Sequence, residues 1–248
     1  MPKIEMDEGN AIGGTAFKFS SVKMGDLGAT EYTLVNIAVD ATGSVAGFVP
    51  ELVSMLQMAV DSCKKSPRAE NLLVRVILFS TTYAGGISEL HGFKLLKDID
   101  PQADYQAFRV GGGTPLLDAI FSSVGASNEF GKKLFDQDYL VNAITFVITD
   151  GEENSSRIGA KMVMDEISKG VGGEYLESSS VVLVGINASS CAASLDNLKN
   201  QLGITQFVDA GNATPQRMAK LAGYVSKSVS STANVLGTGG PSKISATI

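Results

Sequence analysis

Five oxygen-bearing side chains in three separate stretches offer the clearest chemistry in this chain. They are Asp40, Thr42 and Ser44 in VDATGS, Thr114 in GGGTPLLDA, and Asp150 in TFVITDGEEN. Each stretch lies where an apolar run or a Gly-rich turn gives way to the next element. Carboxylates and hydroxyls gathered at one point suit a hard divalent cation, which takes oxygen ligands, in near-octahedral array for Mg²⁺, and keeps several waters. Two neutral hydroxyls beside two carboxylates would leave such a cation electron-poor, with residual positive charge for an incoming anion.

Each stretch also has a plainer reading. Asp40 and Ser44 fit the N-terminal caps of a helix starting near Val49, and the first stretch alone does not choose between cap and ligand. Thr114 before Pro115 fits a cap equally well. Gly111, Gly112 and Gly113 ask for more, because three glycines give up backbone entropy for unusual dihedrals or a close approach. A phosphate cradle is the rival, but the GK[ST] ending of a P-loop is missing and no GxGxxG occurs. Asp150-Gly151 after a strand is an ordinary turn. The coincidence favours a cation: ligands of open α/β sheets sit beyond the C-terminal ends of the strands, where Asp40 and Asp150 both fall.

The elements that must position these groups are legible from periodicity. Leu34 to Val39, Leu72 to Phe79, Ala143 to Ile148 and Val181 to Ile186 are short, almost wholly apolar runs, as expected of parallel strands buried on both faces. Between them, Val49, Leu52, Val53, Leu56, Val60 and Cys63 form a helical stripe with Pro50 in the first turn. Leu116, Leu117, Ile120 and Val124 form another after Thr114-Pro115. Further helices are marked by Met162, Val163, Glu166 and Ile167; by Leu195, Leu198 and Leu202; and by Met218, Leu221, Ala222, Val225 and Val229. This alternation predicts an α/β fold with a doubly wound, mostly parallel central sheet flanked by helices and one antiparallel edge strand. Ile87 to Leu90 and Phe93 to Leu96 read as a hairpin or edge strand interrupted at Gly92, and Phe17 to Val22 reads as a partner for Tyr32 to Val39. The expected organisation is an N-terminal arm (1–16), one domain (17–229) and a flexible Ser/Thr/Gly-rich tail (230–248).

Composition narrows the function classes. A 248-residue chain with 44% apolar residues can bury one sizeable core. A net charge of −6 with dispersed Lys and Arg leaves no footprint for nucleic acid. No stretch approaches the length of a membrane span. The start, MPKIEMDEGNAIGG, carries acids where an export signal carries positive charge, so a cytoplasmic location is expected. Cys63 and Cys191 read as buried apolar residues rather than a disulfide. Asp98, Asp100 and Asp104 lack the glycine and glutamate of a calcium loop. His91, the only histidine, lies in a polar segment without a nucleophile beside it, which disfavours Ser-His-Asp chemistry.

The D-A-T-G-S run, the G-G-G-T before a helix and the T-D-G after a strand together resemble the metal-ion-dependent adhesion site (MIDAS) of von Willebrand factor type A (vWA) domains, whose first part reads D-x-S-x-S. Thr42 stands where the first serine is usual; it keeps the hydroxyl and adds a methyl. The resemblance spans about Phe17 to Val229 and implies a Rossmann-like vWA fold. It implies that Thr42 and Ser44 bind Mg²⁺, or Mn²⁺ or Ca²⁺, through their hydroxyls, that Asp40 and Asp150 act directly or through water, and that Thr114 approaches in one conformational state. The open sixth position would take an Asp or Glu carboxylate of a protein partner, with Gly113, Glu152 and Glu153 on the rim.

The expected function is therefore a cation-dependent protein-interaction module without enzymatic activity, a component of an intracellular multiprotein complex. An AAA-type ATPase is among the partners the resemblance suggests. Two alternatives stand beside it. One is a Mg²⁺-dependent phosphatase or phosphotransferase with Asp40 as nucleophile, which would want a second Asp where Thr42 stands. The other is a structural assembly subunit with a vestigial metal site.

Overall fold

The computed structural model of the chain describes residues 6–238 and Ile244. Eight strands form one sheet in the order β1-β2-β5-β4-β3-β6-β7-β8. They are β1 (Met6–Ala11), β2 (Lys18–Val22), β3 (Glu31–Asp40), β4 (Leu72–Phe79), β5 (Ile87–Leu95), β6 (Leu140–Thr149), β7 (Ser179–Gly185) and β8 (Gln206–Asp209). The helices are α1 (Val49–Cys63), α2 (Pro101–Asp104), α3 (Leu116–Phe135), α4 (Ala160–Gly172), α5 (Ala192–Leu202) and α6 (Pro215–Val235). Strands β4, β3, β6, β7 and β8 are mutually parallel.

Alternation along the central strands divides the core into two layers. Val35, Ile37 and Val39 of β3 face one way, into a cluster with α1 and α6. Leu34 and Ala38 face the other, into a cluster closed chiefly by α3. Helices on both faces explain why β3, β4 and β6 read as continuous apolar runs. The chain leaves β3 through α1 to reach β4 on one side, while β6 lies on the other side of β3. The C-terminal ends of β3 and β6 therefore flank a switch point of the sheet.

The antiparallel edge expected from the sequence is present and wider than one strand. β5 is antiparallel to β4, β2 is parallel to β5, and β1 is antiparallel to β2. Residues 87–95 form a single strand rather than a hairpin. Gly92 makes no turn there; it lets the Ser20 backbone approach where a Cβ would collide with the Ser20 carbonyl. The expected pairing of Phe17 to Val22 with Tyr32 to Val39 does not form, because β3 is already paired on both sides.

The expected arm is in part a strand: Met6–Ala11 pairs with β2, and Ile12 is fully buried. A polar edge strand needs only backbone pairing, so its residues carry no apolar signal. The boundary placed at 229 falls inside α6, which continues to Val235 with Thr232 and Ala233 buried. Residues 1–5, 239–243 and 245–248 of the expected arm and tail lie outside the described residues. Among those described, no helix is long and apolar enough to cross a membrane.

Candidate metal centre

Asp40 closes β3, buried to 1% exposure. Its two carboxylate oxygens are held from different elements. Oδ1 accepts from the Thr42 backbone N–H at 2.8 Å, and Oδ2 accepts from the Thr149 hydroxyl at 2.7 Å. The Thr42 and Ser44 hydroxyl oxygens lie 3.0 Å apart, and Ser44 Oγ donates to Asp150 Oδ1 at 2.7 Å. Ser44's only proton is thereby committed to Asp150, so Thr42 is the donor between the two hydroxyls. Asp40 and Thr42 form the buried floor, while Ser44 is exposed and Asp150 half-buried at the mouth. Neither Asp40 nor Ser44 caps a helix: α1 starts after Phe48 with no side-chain cap.

The glycine loop joins this group through its backbone. Gly111 N–H donates to Ala41 O at 3.0 Å, Gly43 N–H to Gly112 O at 3.4 Å, and Thr81 N–H to Gly113 O at 3.2 Å. Gly112 has φ +69°, and a Cβ on it would overlap the Thr81 hydroxyl, so both unusual dihedral and close approach are realised here. Thr114 is not a helix cap, since α3 begins after Pro115 and has no side-chain cap. Its backbone is clamped to Asn154: Thr114 N–H donates to Asn154 Oδ1 at 2.8 Å, and Asn154 N–H donates to Thr114 O at 3.1 Å. Its Oγ1 lies 3.8 Å from where a Cβ on Gly151 would stand. Asp40, Thr42, Ser44, Thr114 and Asp150 are thus carried on three loops bonded to one another at one edge of the sheet.

Burial pushes the Asp40 carboxyl above its ordinary value. Hydrogen bonds from Thr42 and Thr149 pull it back, and the Asp150 charge raises it further. Burial also raises Asp150, opposed by the Ser44 hydroxyl. Two partly desolvated carboxylates repelling across two hydroxyls make a site that gains from a cation. The donor set fits a hard divalent ion: oxygen only, with the Ser44 proton turned to a carboxylate and, beside the lone pair that accepts from Thr42, one lone pair left for a metal. Among the described residues no group of three or more His, Cys, Asp or Glu side chains could hold a metal. The five-residue set contains only two carboxylates and is built on hydroxyls instead.

The rim differs from expectation at Glu153. Its Oε2 accepts from the Leu117 backbone N–H (2.8 Å) and the Ser156 hydroxyl (2.7 Å), and its Oε1 from the Ser155 and Ser156 backbone N–H groups (2.9 and 2.8 Å). Glu153 is therefore an internal clamp between the Asp150 loop and the first turn of α3, because four donors converge on one carboxylate. Glu152 is exposed at the rim. Gly113 is packed so closely on Asn154 and Ser155 that a Cβ would overlap the Ser155 hydroxyl. Sequence reasoning missed Thr149, Asn154 and Asp118. Asp118 Oδ1 accepts from Arg157 N–H (3.0 Å) and Ile158 N–H (2.9 Å), fastening the same loop from its far end. Thr149 was available in the T-D-G triplet; Asn154 and Asp118 have no local signal, since their partners are about 40 residues away.

No protein-family sequence model matches the chain. A sequence search of curated proteins also finds no match. Solved structures are similar in fold. The pilus adhesin SpaC from Lactobacillus rhamnosus GG, in an open conformation, superposes with a TM-score of 0.56 at 10% identity, covering 91% of this chain and 34% of that one. Proximal thread matrix protein 1 from the mussel byssus gives 0.54 at 15% identity, covering 81% of this chain and 47% of that one. A form of the same byssus protein with a zinc-occupied MIDAS motif gives 0.52 at 15% identity, covering 81% and 46%. The chain spans roughly a third to a half of the length of these proteins. Sheet order, flanking helices and these neighbours define the architecture as a vWA-like α/β fold.

Proposed function

We propose that this chain is a divalent-cation-dependent protein-interaction module that captures a carboxylate of a protein partner. One observation carries the reading: the bonded series Thr149–Asp40–Thr42–Ser44–Asp150, with Thr114 clamped beside it. Asp40, Thr42, Ser44, Thr114 and Asp150 would hold Mg²⁺, Mn²⁺ or Ca²⁺. When bound, the ion supplies positive charge at the mouth of the cup for an Asp or Glu of the partner. The zinc-occupied MIDAS of the byssus protein supports divalent-ion binding at such a site. A phosphotransferase reading is less well supported, because Asp40 is buried and both its oxygens already accept hydrogen bonds.

The residues divide the work. Thr149 and the Thr42 N–H orient Asp40, Ser44 orients Asp150, and Asn154 and Glu153 fix the loop bearing Thr114 against the Asp150 loop. The test is a peptide array in which every acidic peptide is paired with its Asn or Gln isostere, probed with the protein in Mg²⁺ and in EDTA. Capture restricted to acidic members, dependent on Mg²⁺ and lost in Ser44→Ala, is the expected result. Capture that ignores chelation overturns the proposal.

A further inference from the structure

A cavity of about 460 Å³ opens between the start of β2, the turn after β4, and residues 157–158. It falls within the usual size range of ligand pockets, about 300–1,000 Å³. Phe17, Ile87 and Ile158 line it from the α3-side core, and Phe17 is braced by Phe121 at a ring-centroid distance of 5.9 Å. Lys18 and Arg157 stand exposed at its border. Neither closes an ion pair with another described residue; Arg157 feels the charge of Asp118, whose Oδ1 is already held by two backbone N–H groups. Glu89, the one acid in the lining, is neutralised from behind by the fully buried Arg75 (2.6 Å) and accepts from the Ser20 hydroxyl (2.8 Å). The cavity therefore joins apolar walls to two exposed cations, neither ion-paired with another described residue, on a chain whose net charge is −6.

Its position relates it to the metal centre. Asp150 and Arg157 are seven residues apart in one loop, a separation of at most about 25 Å even if fully extended. Asn154 and Ser155 of that loop pack on Thr114 and Gly113. An extended partner segment of about eight residues spans both places.

We propose that this cavity is a second anchor for the partner, taking an apolar side chain that adjoins a carboxylate in an acidic peptide. The apolar side chain enters between Phe17, Ile87 and Ile158, and the carboxylate meets Lys18 and Arg157. The inference rests on the interaction-module reading for the first carboxylate, and two linked weak contacts then give specificity that one coordinated carboxylate lacks.

The experiment is a titration of ¹³C-methyl-isoleucine protein, in EDTA, with blocked Leu-Glu (acetyl-Leu-Glu-amide) and its Leu-Gln isostere, each to about 20 mM. Expected are saturable shifts of the Ile87 and Ile158 methyls with Leu-Glu, about fivefold or more weaker with Leu-Gln, and abolished by Lys18→Glu with Arg157→Glu, both exposed positions. No shift at these methyls, or equal binding of the two peptides, overturns the proposal. Because chelator is present throughout, this result is independent of whether the cup binds metal.

Discussion

The single histidine permits a direct test of how the edge strands are packed. His91 lies on β5 at 6% exposure, with Nδ1 2.8 Å from the Gly92 carbonyl oxygen and Nε2 2.9 Å from the Tyr105 hydroxyl. A carbonyl only accepts, so Nδ1 carries the proton and Nε2 accepts from Tyr105. Burial pushes the imidazole pKa down from 6.5 to about 4; the Gly92 carbonyl opposes this, Lys94 adds to it, and Asp104 and Glu89 oppose it. Between those two values the unfolded chain binds a proton that the folded chain refuses, so stability is lost as pH falls through this window. At about 1.4 kcal/mol per pKa unit, the loss is on the order of 2 kcal/mol by pH 5 and 3 kcal/mol below pH 4. The assay is the imidazole Cε1–H resonance followed from about pH 8 to 4, with urea unfolding at about pH 7.5 and 5. His91→Asn serves to subtract the carboxylates, including Asp40, Asp118 and Asp150, whose raised values act in the opposite sense. A titration midpoint near 6.5, or equal acid sensitivity of wild type and variant, would show that burial does not hold His91 neutral in the folded chain.

Two further expectations concern the clamps and the close approaches. Glu153→Ala strands the Leu117 N–H and three other donors, for a loss of about 2 kcal/mol in urea unfolding, whereas Glu152→Ala changes stability by under about 0.5 kcal/mol. Equal effects of the two variants would contradict the internal role given to Glu153. Gly92→Ala drives a Cβ into the Ser20 carbonyl, so it costs about 3 kcal/mol or frees the β1–β2 pair, seen as faster amide exchange at Phe19 and Ser21. Unchanged exchange together with a loss below about 1 kcal/mol would show that the strands separate more easily than the packing implies.

What was legible in the sequence follows burial. β3, β4, β6 and β7 are covered on both faces, so their apolar runs report them directly, and the stripe of α1 does the same. β1 was illegible because Met6–Ala11 is held by backbone pairing at an edge, where mostly polar side chains face solvent. At Gly92 the sequence leaves hairpin and edge strand open, because a glycine that marks a turn and one that admits a neighbouring backbone look the same in a linear chain. At the cup, residue types and strand ends located Asp40, Thr42, Ser44, Thr114 and Asp150 near one edge. The clamps by Glu153 and Asn154 depend on side-chain geometry between distant segments, which no local pattern encodes. Glu153 follows the Asp150-Gly151 turn, as a rim charge would, and only its four donors reveal it as a clamp.

Calorimetry with Mn²⁺ and Mg²⁺ asks whether the hydroxyl-rich cup binds a divalent cation. One saturable site is expected, with a Kd of about 1 mM or tighter, weakened about tenfold or more in Asp150→Ala and in Ser44→Ala while both variants keep a cooperative melt. No saturable heat up to about 10 mM of either ion, or the same affinity in wild type and both variants, would contradict it.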